Sequence, residues 1–192
     1  MQSSSILNRR LMKGFTLVEL LIVVIILAIL AAIVVPQFAS STNDAKISAA
    51  KSTLANLRAA IDLYYQQHGN YPGALTAVGA GCTGTAGTGA ATGGAGATAA
   101  TAFEEQLSLY TNAAGGACSI SDSSYKFGPY MKKSTVPADP ISGVSTLTVV
   151  ADGNLTMAGS GTTGGWKYDS KTGKIIINNT DTDSNSVSYD KY

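Results

Sequence analysis

The sequence predicts an α+β fold: a long N-terminal helical spine, transmembrane over its first half, followed by a small domain whose strands lie toward the C-terminus. Three observations predict it. Phe15 to Val35 is an apolar run broken only by Thr16 and Glu19. From Ile47 to His68, apolar residues recur at helical spacing. After Pro140, β-rich segments and a hairpin signal replace that spacing. Composition narrows the chemistry. The chain has 192 residues, a net charge of +1, and only 13% charged residues, against about a quarter in an average domain. A near-neutral balance gives no footprint for a specific nucleic-acid partner. One His and two Cys cannot supply the four ligands of a structural zinc site.

Residues 1–14 form a basic leader. Arg9, Arg10 and Lys13 give it a charge of +3 with no acid, which leaves −2 on the rest of the chain. Positive residues ahead of an apolar run keep that end cytoplasmic and send the C-terminal part outward. Residues 15–36 are the membrane span. As a helix, Phe15 to Val35 covers roughly 32 Å, about the hydrocarbon thickness of a bilayer. A secretory signal would have a shorter apolar region and a small-residue cleavage site; Pro36-Gln37-Phe38 does not provide one. Glu19 lies inside the run. A carboxylate near the centre of a membrane segment costs roughly 2.5–3.5 kcal/mol and calls for a partner. Near the interface it could instead reach the headgroups. Pro36 has no N–H to bond the Ala32 carbonyl, so a kink or local melting is expected there.

Residues 37–72 continue the spine. Ile47, Ala50, Leu54, Leu57, Ile61, Tyr64 and His68 form one stripe, with Lys46, Lys51, Asn56, Arg58, Asp62 and Gln66 on other faces. A helix from Phe15 to His68 would be roughly 80 Å long. Gly69-Asn70-Tyr71-Pro72 ends it, because Gly suits the C-cap and Pro cannot continue. His68 is a stripe or cap residue on this reading. Residues 73–126 are a low-complexity loop with a short helix. Gly79 to Ala102 uses only Gly, Ala, Cys and Thr, which offers little apolar surface to bury, so a surface loop is expected. Thr101-Ala-Phe-Glu104 matches a capping box, with Phe103, Leu107 and Tyr110 on one face of the helix it would start. In an exported domain Cys82 and Cys118 are expected to pair, closing a loop that contributes ~3–4 kcal/mol in the chain-entropy account.

Residues 127–192 hold the strands and a polar tail. Ser145 to Val150 is β-rich. Trp166-Lys-Tyr168 and Lys174 to Asn178 flank Asp169-Ser-Lys-Thr-Gly173 as a hairpin. In the tail, Asp181, Asp183 and Asn185 match the first three ligand positions of an EF-hand loop. Ser186 and Tyr192 then stand where that loop needs Gly and Glu, so a solvated tail is the stronger reading and the calcium candidates are weak.

Lys13-Gly14-Phe15-Thr16-Leu17-Val18-Glu19-Leu20 resembles the prepilin cleavage and methylation motif of type IV pilins and type II secretion pseudopilins. Asp62 to Pro72 resembles the helix end of major pseudopilins. Phe127-Gly-Pro-Tyr130, Val136 to Pro140, Gly165 to Asp169 and Thr172 to Ile175 are more loosely similar to the C-terminal region of protein G-like pseudopilins. The resemblance implies a pilin-like fold, in which the spine packs on a small antiparallel sheet. It implies that a prepilin peptidase cuts after Gly14 and N-methylates Phe15, and that the new amine pairs with Glu19 of a neighbouring subunit during assembly. It implies a homo-oligomeric helical filament, with an assembly ATPase and inner-membrane platform proteins as partners. The subunit would sit in the inner membrane as a single-pass protein, N-terminus cytoplasmic and C-terminal domain periplasmic. It would then enter an extracellular pilus or fimbrium, or a periplasmic pseudopilus. No cofactor is expected; calcium is the one that the resemblance leaves open.

An enzyme is disfavoured, because no nucleophile motif, phosphate loop or HExxH-type site is present. A monomeric membrane-anchored binding protein would leave Glu19 unpaired in lipid. A filament subunit gives it a partner, either in a type IV pilus or in the pseudopilus of a type II secretion system.

Overall fold

The computed structural model describes residues 14–90 and 93–192. Arg9, Arg10 and Lys13 lie outside them. The chain divides into two compact units, residues 1–43 and 44–192. Helix α1, Leu17–His68, contributes to both.

In the first unit, the Leu17–Val35 part of α1 has a mean hydropathy of 3.4 and none of it is buried. It is the one described helix long and apolar enough to cross a membrane. Leu17 is 80% exposed and Ile33 64%. The helical backbone runs through position 36 without a break. The melting that Pro36 permits is therefore not taken up.

The second unit is built on the stripe. Ile47, Ala50, Leu54, Leu57, Ile61 and Tyr64 are all buried, in one cluster with Phe103, Leu107, Val149, Trp166, Tyr168, Ile175 and Ile177. Side chains three and four apart share one helix face, so a single covering layer excludes water from all of them. Gly69 ends α1 with φ +68° and donates its N–H to the Tyr65 carbonyl at 2.8 Å. This is the left-handed C-terminal stop that Gly tolerates without strain.

Among the described residues, five short strands follow. β1, Tyr110–Thr111, pairs antiparallel with β2, Ala117–Cys118. β3, Leu147–Val150, β4, Trp166–Asp169, and β5, Ile175–Ile177, form a second sheet in the order β3-β4-β5. β4 and β5 are the expected hairpin, with Trp166 opposite Ile177. β3 runs parallel to β4, Leu147 opposite Trp166, so this sheet is mixed rather than wholly antiparallel. A parallel pair needs about a dozen or more connecting residues, and residues 151–165 supply them without forming a helix.

Between α1 and the strands two expectations change. The second helix, α2, spans Ala97–Ser108, starting five residues earlier than the capping-box pattern suggests. Its N-cap is Gly96, and Thr101 lies inside the helix, bonding the Ala97 carbonyl. Glu104 turns instead to the Val136 N–H at 3.0 Å. Tyr110 falls in β1 and not on the α2 face. The Gly/Ala/Thr tract, expected on the surface, is partly built into the interior. Ala117 donates its N–H to the Ala77 carbonyl at 2.8 Å, and Gly87 donates to the Ala117 carbonyl at 2.9 Å. Glu105 accepts the N–H groups of Thr88 and Gly89 at 2.8 Å each. A Cβ on Gly89 would lie 2.2 Å from the Ala102 nitrogen. Small residues allow this backbone approach, so a segment poor in apolar bulk can still be buried by close packing.

Candidate functional site

The first turn of α1 carries the chemistry. Gly14 and Phe15 precede the helix, and Phe15 is 76% exposed. Thr16 stands at the N-cap position and Glu19 three residues on. The Glu19 carboxylate accepts the Thr16 N–H at 2.9 Å and the Thr16 hydroxyl at 2.8 Å. In return the Thr16 hydroxyl accepts the Glu19 N–H at 3.2 Å. This is a reciprocal capping box, and it satisfies donors that helix ends leave open. A carboxylate in the first turn also faces the positive end of the helix dipole. Glu19 thus has a partner within its own chain, and that partner, Thr16, went unrecognised in the sequence. The signal was present: Thr16-Leu-Val-Glu19 is the S/T-x-x-E pattern ahead of an apolar run.

The other candidates fall elsewhere. Cys82 and Cys118 are joined as a disulfide, closing a 36-residue separation, and no cysteine is free. The bond ties the Gly/Ala/Thr tract to β2. His68 is half-buried at the end of α1. Its ring stacks on Tyr64 at 4.0 Å between centroids. Nδ1 lies 3.0 Å from the Tyr64 carbonyl and Nε2 lies 3.0 Å from the Thr111 hydroxyl. A carbonyl can only accept, so the network assigns the proton to Nδ1 and leaves Nε2 to accept from Thr111. Burial pushes the imidazole below its ordinary value. His68 is a structural cap, held on both sides.

In the tail, the carboxylate of Asp183 is engaged within the protein. In Asp183, Oδ1 accepts the N–H groups of Asn185 and Val187, and Oδ2 accepts the Tyr192 hydroxyl at 2.7 Å. That hydroxyl bond is the main cause holding the Asp183 carboxyl below its usual range. Asp181 stays exposed. Among the described residues no group of three or more His, Cys, Asp or Glu converges.

The helix that a Gly-Phe junction and a capped Glu open presents an unburied apolar surface, long and apolar enough to cross a membrane. Residues 9–35 match the prokaryotic N-terminal methylation motif. The chain is similar to type II secretion system core protein G of Pseudomonas aeruginosa, 46% identical over 66 residues, or 34% of this chain and 46% of that protein. It is similar to a fimbrial protein of Neisseria meningitidis serogroup B, 42% identical over 69 residues, 36% of this chain and 41% of that one. It is also similar to a type IV major pilin protein of Neisseria gonorrhoeae, 41% identical over 69 residues, 36% of this chain and 42% of that one. The chain spans less than half the length of these relatives. No solved structure is a significant match.

Proposed function

We propose that the chain is a structural subunit of a type IV pilus-like filament. A prepilin peptidase cuts between Gly14 and Phe15 and methylates the Phe15 amine. Before assembly the subunit waits in the inner membrane, with its N-terminus cytoplasmic and the 44–192 unit periplasmic. An assembly ATPase and platform proteins then move it into the filament. One observation carries the reading: a Glu sits in the first turn of an otherwise apolar, uncovered helix, within the residues that match the methylation motif.

The physics accounts for both states. In lipid, the Thr16 bonds answer the Glu19 carboxylate and lower the cost of holding it there. Between packed spines, the carboxylate can exchange those bonds for the amine of a neighbour's Phe15. Two opposite charges attract strongly where the dielectric is low, whereas either one left alone is expensive. Packing copies of Leu17–Val35 against one another also covers the side chains left open in the single chain. The role is structural rather than catalytic.

A second reading is favoured by the match to the secretion core protein G: a major pseudopilin that forms the periplasmic pseudopilus of a type II secretion system. The disulfide favours a filament exposed to an oxidising exterior. The test is the variant Glu19→Ala in cells. It should insert and be cleaved normally, yet yield at least ~10-fold fewer sheared filaments. Wild-type filaments should begin at methylated Phe15 on N-terminal sequencing. Normal filament yield from the variant, or filaments that begin at Met1, would sink the reading. Surface fibres lost with secretion intact favour the pilus; secretion lost without surface fibres favours the pseudopilus.

A further inference from the structure

The end of α1 carries an aromatic surface. Tyr65 and Tyr71 stack at 4.3 Å between ring centroids with 23° between planes. Tyr65 is 41% exposed. Tyr71 also lies on Gly173, where a Cβ would meet the ring at 2.2 Å, so only Gly admits the ring there. Beside the stack is a cavity of about 330 Å³, lined by Tyr65, Tyr71, Asn70, Ala74, Ser170 and Lys171. Its volume falls within the ~300–1,000 Å³ of ligand pockets. Among the described residues, the hydroxyls of Tyr65 and Tyr71 and the Lys171 ammonium make no hydrogen bond. The Asn70 amide makes one long bond of 3.4 Å to the His68 carbonyl. Ser170 is committed, donating to the Gly94 carbonyl, and this fixes the far wall.

We infer that this cavity binds a neutral pyranose sugar, whose C–H face lies on the tyrosine stack while its hydroxyls meet Asn70, Lys171 and the phenol groups. The charges choose the ligand class. Lys171 disfavours a cation. Asp62, exposed and three residues before Tyr65 on the same helix, disfavours an anion. A single-stranded nucleic acid also stacks on aromatic rings, but it needs a positively charged track along its backbone, and one lysine opposed by an aspartate does not make one. Rigid tyrosines give contact area at low entropic cost, and the planar Asn70 amide offers two donors and an acceptor to sugar hydroxyls.

The test uses the full chain in dodecylphosphocholine micelles, since sugar-headed detergents would compete. It is titrated with the methyl glycosides of glucose, galactose and N-acetylglucosamine. At least one should move the amide NMR signals of Tyr65, Asn70, Tyr71 and Lys171 with a Kd of roughly 1–10 mM, as expected for so small a ligand. Tyr65→Ala should weaken binding at least ~10-fold, and Tyr65→Phe by less than about 3-fold, because the ring remains. Both variants should keep the wild-type signals of the buried core, which separates lost binding from lost folding. The inference is overturned if no glycoside moves these signals at about 50 mM, if Tyr65→Ala binds as tightly as wild type, or if an eight-residue oligothymidine binds there more tightly than every glycoside. None of these outcomes depends on filament assembly.

Discussion

Thr16 and Glu19 answer one another's polar groups within a single turn, so the carboxylate has a partner before the chain meets any other. The same four-residue pattern occurs at Thr101–Glu104, yet only the first copy caps a helix. The difference lies in what precedes each. Ahead of Thr101 stand Ala97, Ala99 and Ala100, good helix formers that let α2 begin at Ala97 and overrun the pattern. Ahead of Thr16 stand Gly14 and Phe15, and α1 starts at its cap. His68 was legible in type but not in partners. Its stripe position is a matter of spacing, whereas Thr111 reaches it from 43 residues away. A prediction follows from its lowered pKa. The unfolded imidazole takes up a proton near pH 6.5 and the folded one only at lower pH. Protonation therefore favours unfolding as pH falls below about 6.5. The stabilising contribution is complete above that value and is lost progressively down to the folded pKa. The melting temperature of the wild type should fall between pH 7 and pH 5 by more than that of His68→Gln. Parallel pH profiles would show that His68 does not contribute.

The spine stripe was the most legible element, because a 3.6-residue period leaves few alternatives and every apolar member from Ile47 to Tyr64 is buried. The β4–β5 hairpin was legible for a similar reason, with a turn-forming segment between two β-rich runs. The parallel pairing of β3 with β4 was not, since strand propensity says nothing of direction. The burial of the Gly/Ala/Thr tract is not legible in its composition, because it rests on the absence of side chains rather than on apolar bulk. Gly89→Ala tests that account. The added methyl would meet the Ala102 nitrogen, which belongs to the α2 backbone and cannot swing aside. Overpacking of this kind costs typically 1–3 kcal/mol. Chemical denaturation should show a loss of about that size, while Thr83→Ala, at an exposed position of the same tract, should change stability by less than about 0.5 kcal/mol. Equal effects at the two positions would refute the packing account.

For the whole molecule, the main core cluster lies entirely within residues 44–192, drawing on α1, α2 and the β3–β5 sheet. The Leu17–Val35 helix contributes nothing to it. A chain of residues 44–192, exported to an oxidising compartment, should therefore fold, melt cooperatively and stay monomeric in the absence of detergent. Failure to fold without residues 1–43 would show that the apolar helix supports the core. That core also has an order in time. Arg58 bonds the Ile175 carbonyl across 117 residues of sequence, and the stripe around it is covered by Trp166, Ile175 and Ile177. A ribosome adds roughly 5–20 residues per second, so the covering strands are made on the order of 6–23 s after the surface they cover. Over that interval the stripe from Ile47 to Tyr64 is hydrophobic, unfinished and exposed. The chain needs a chaperone, or passage through the membrane while still being synthesised, to reach the far side unaggregated.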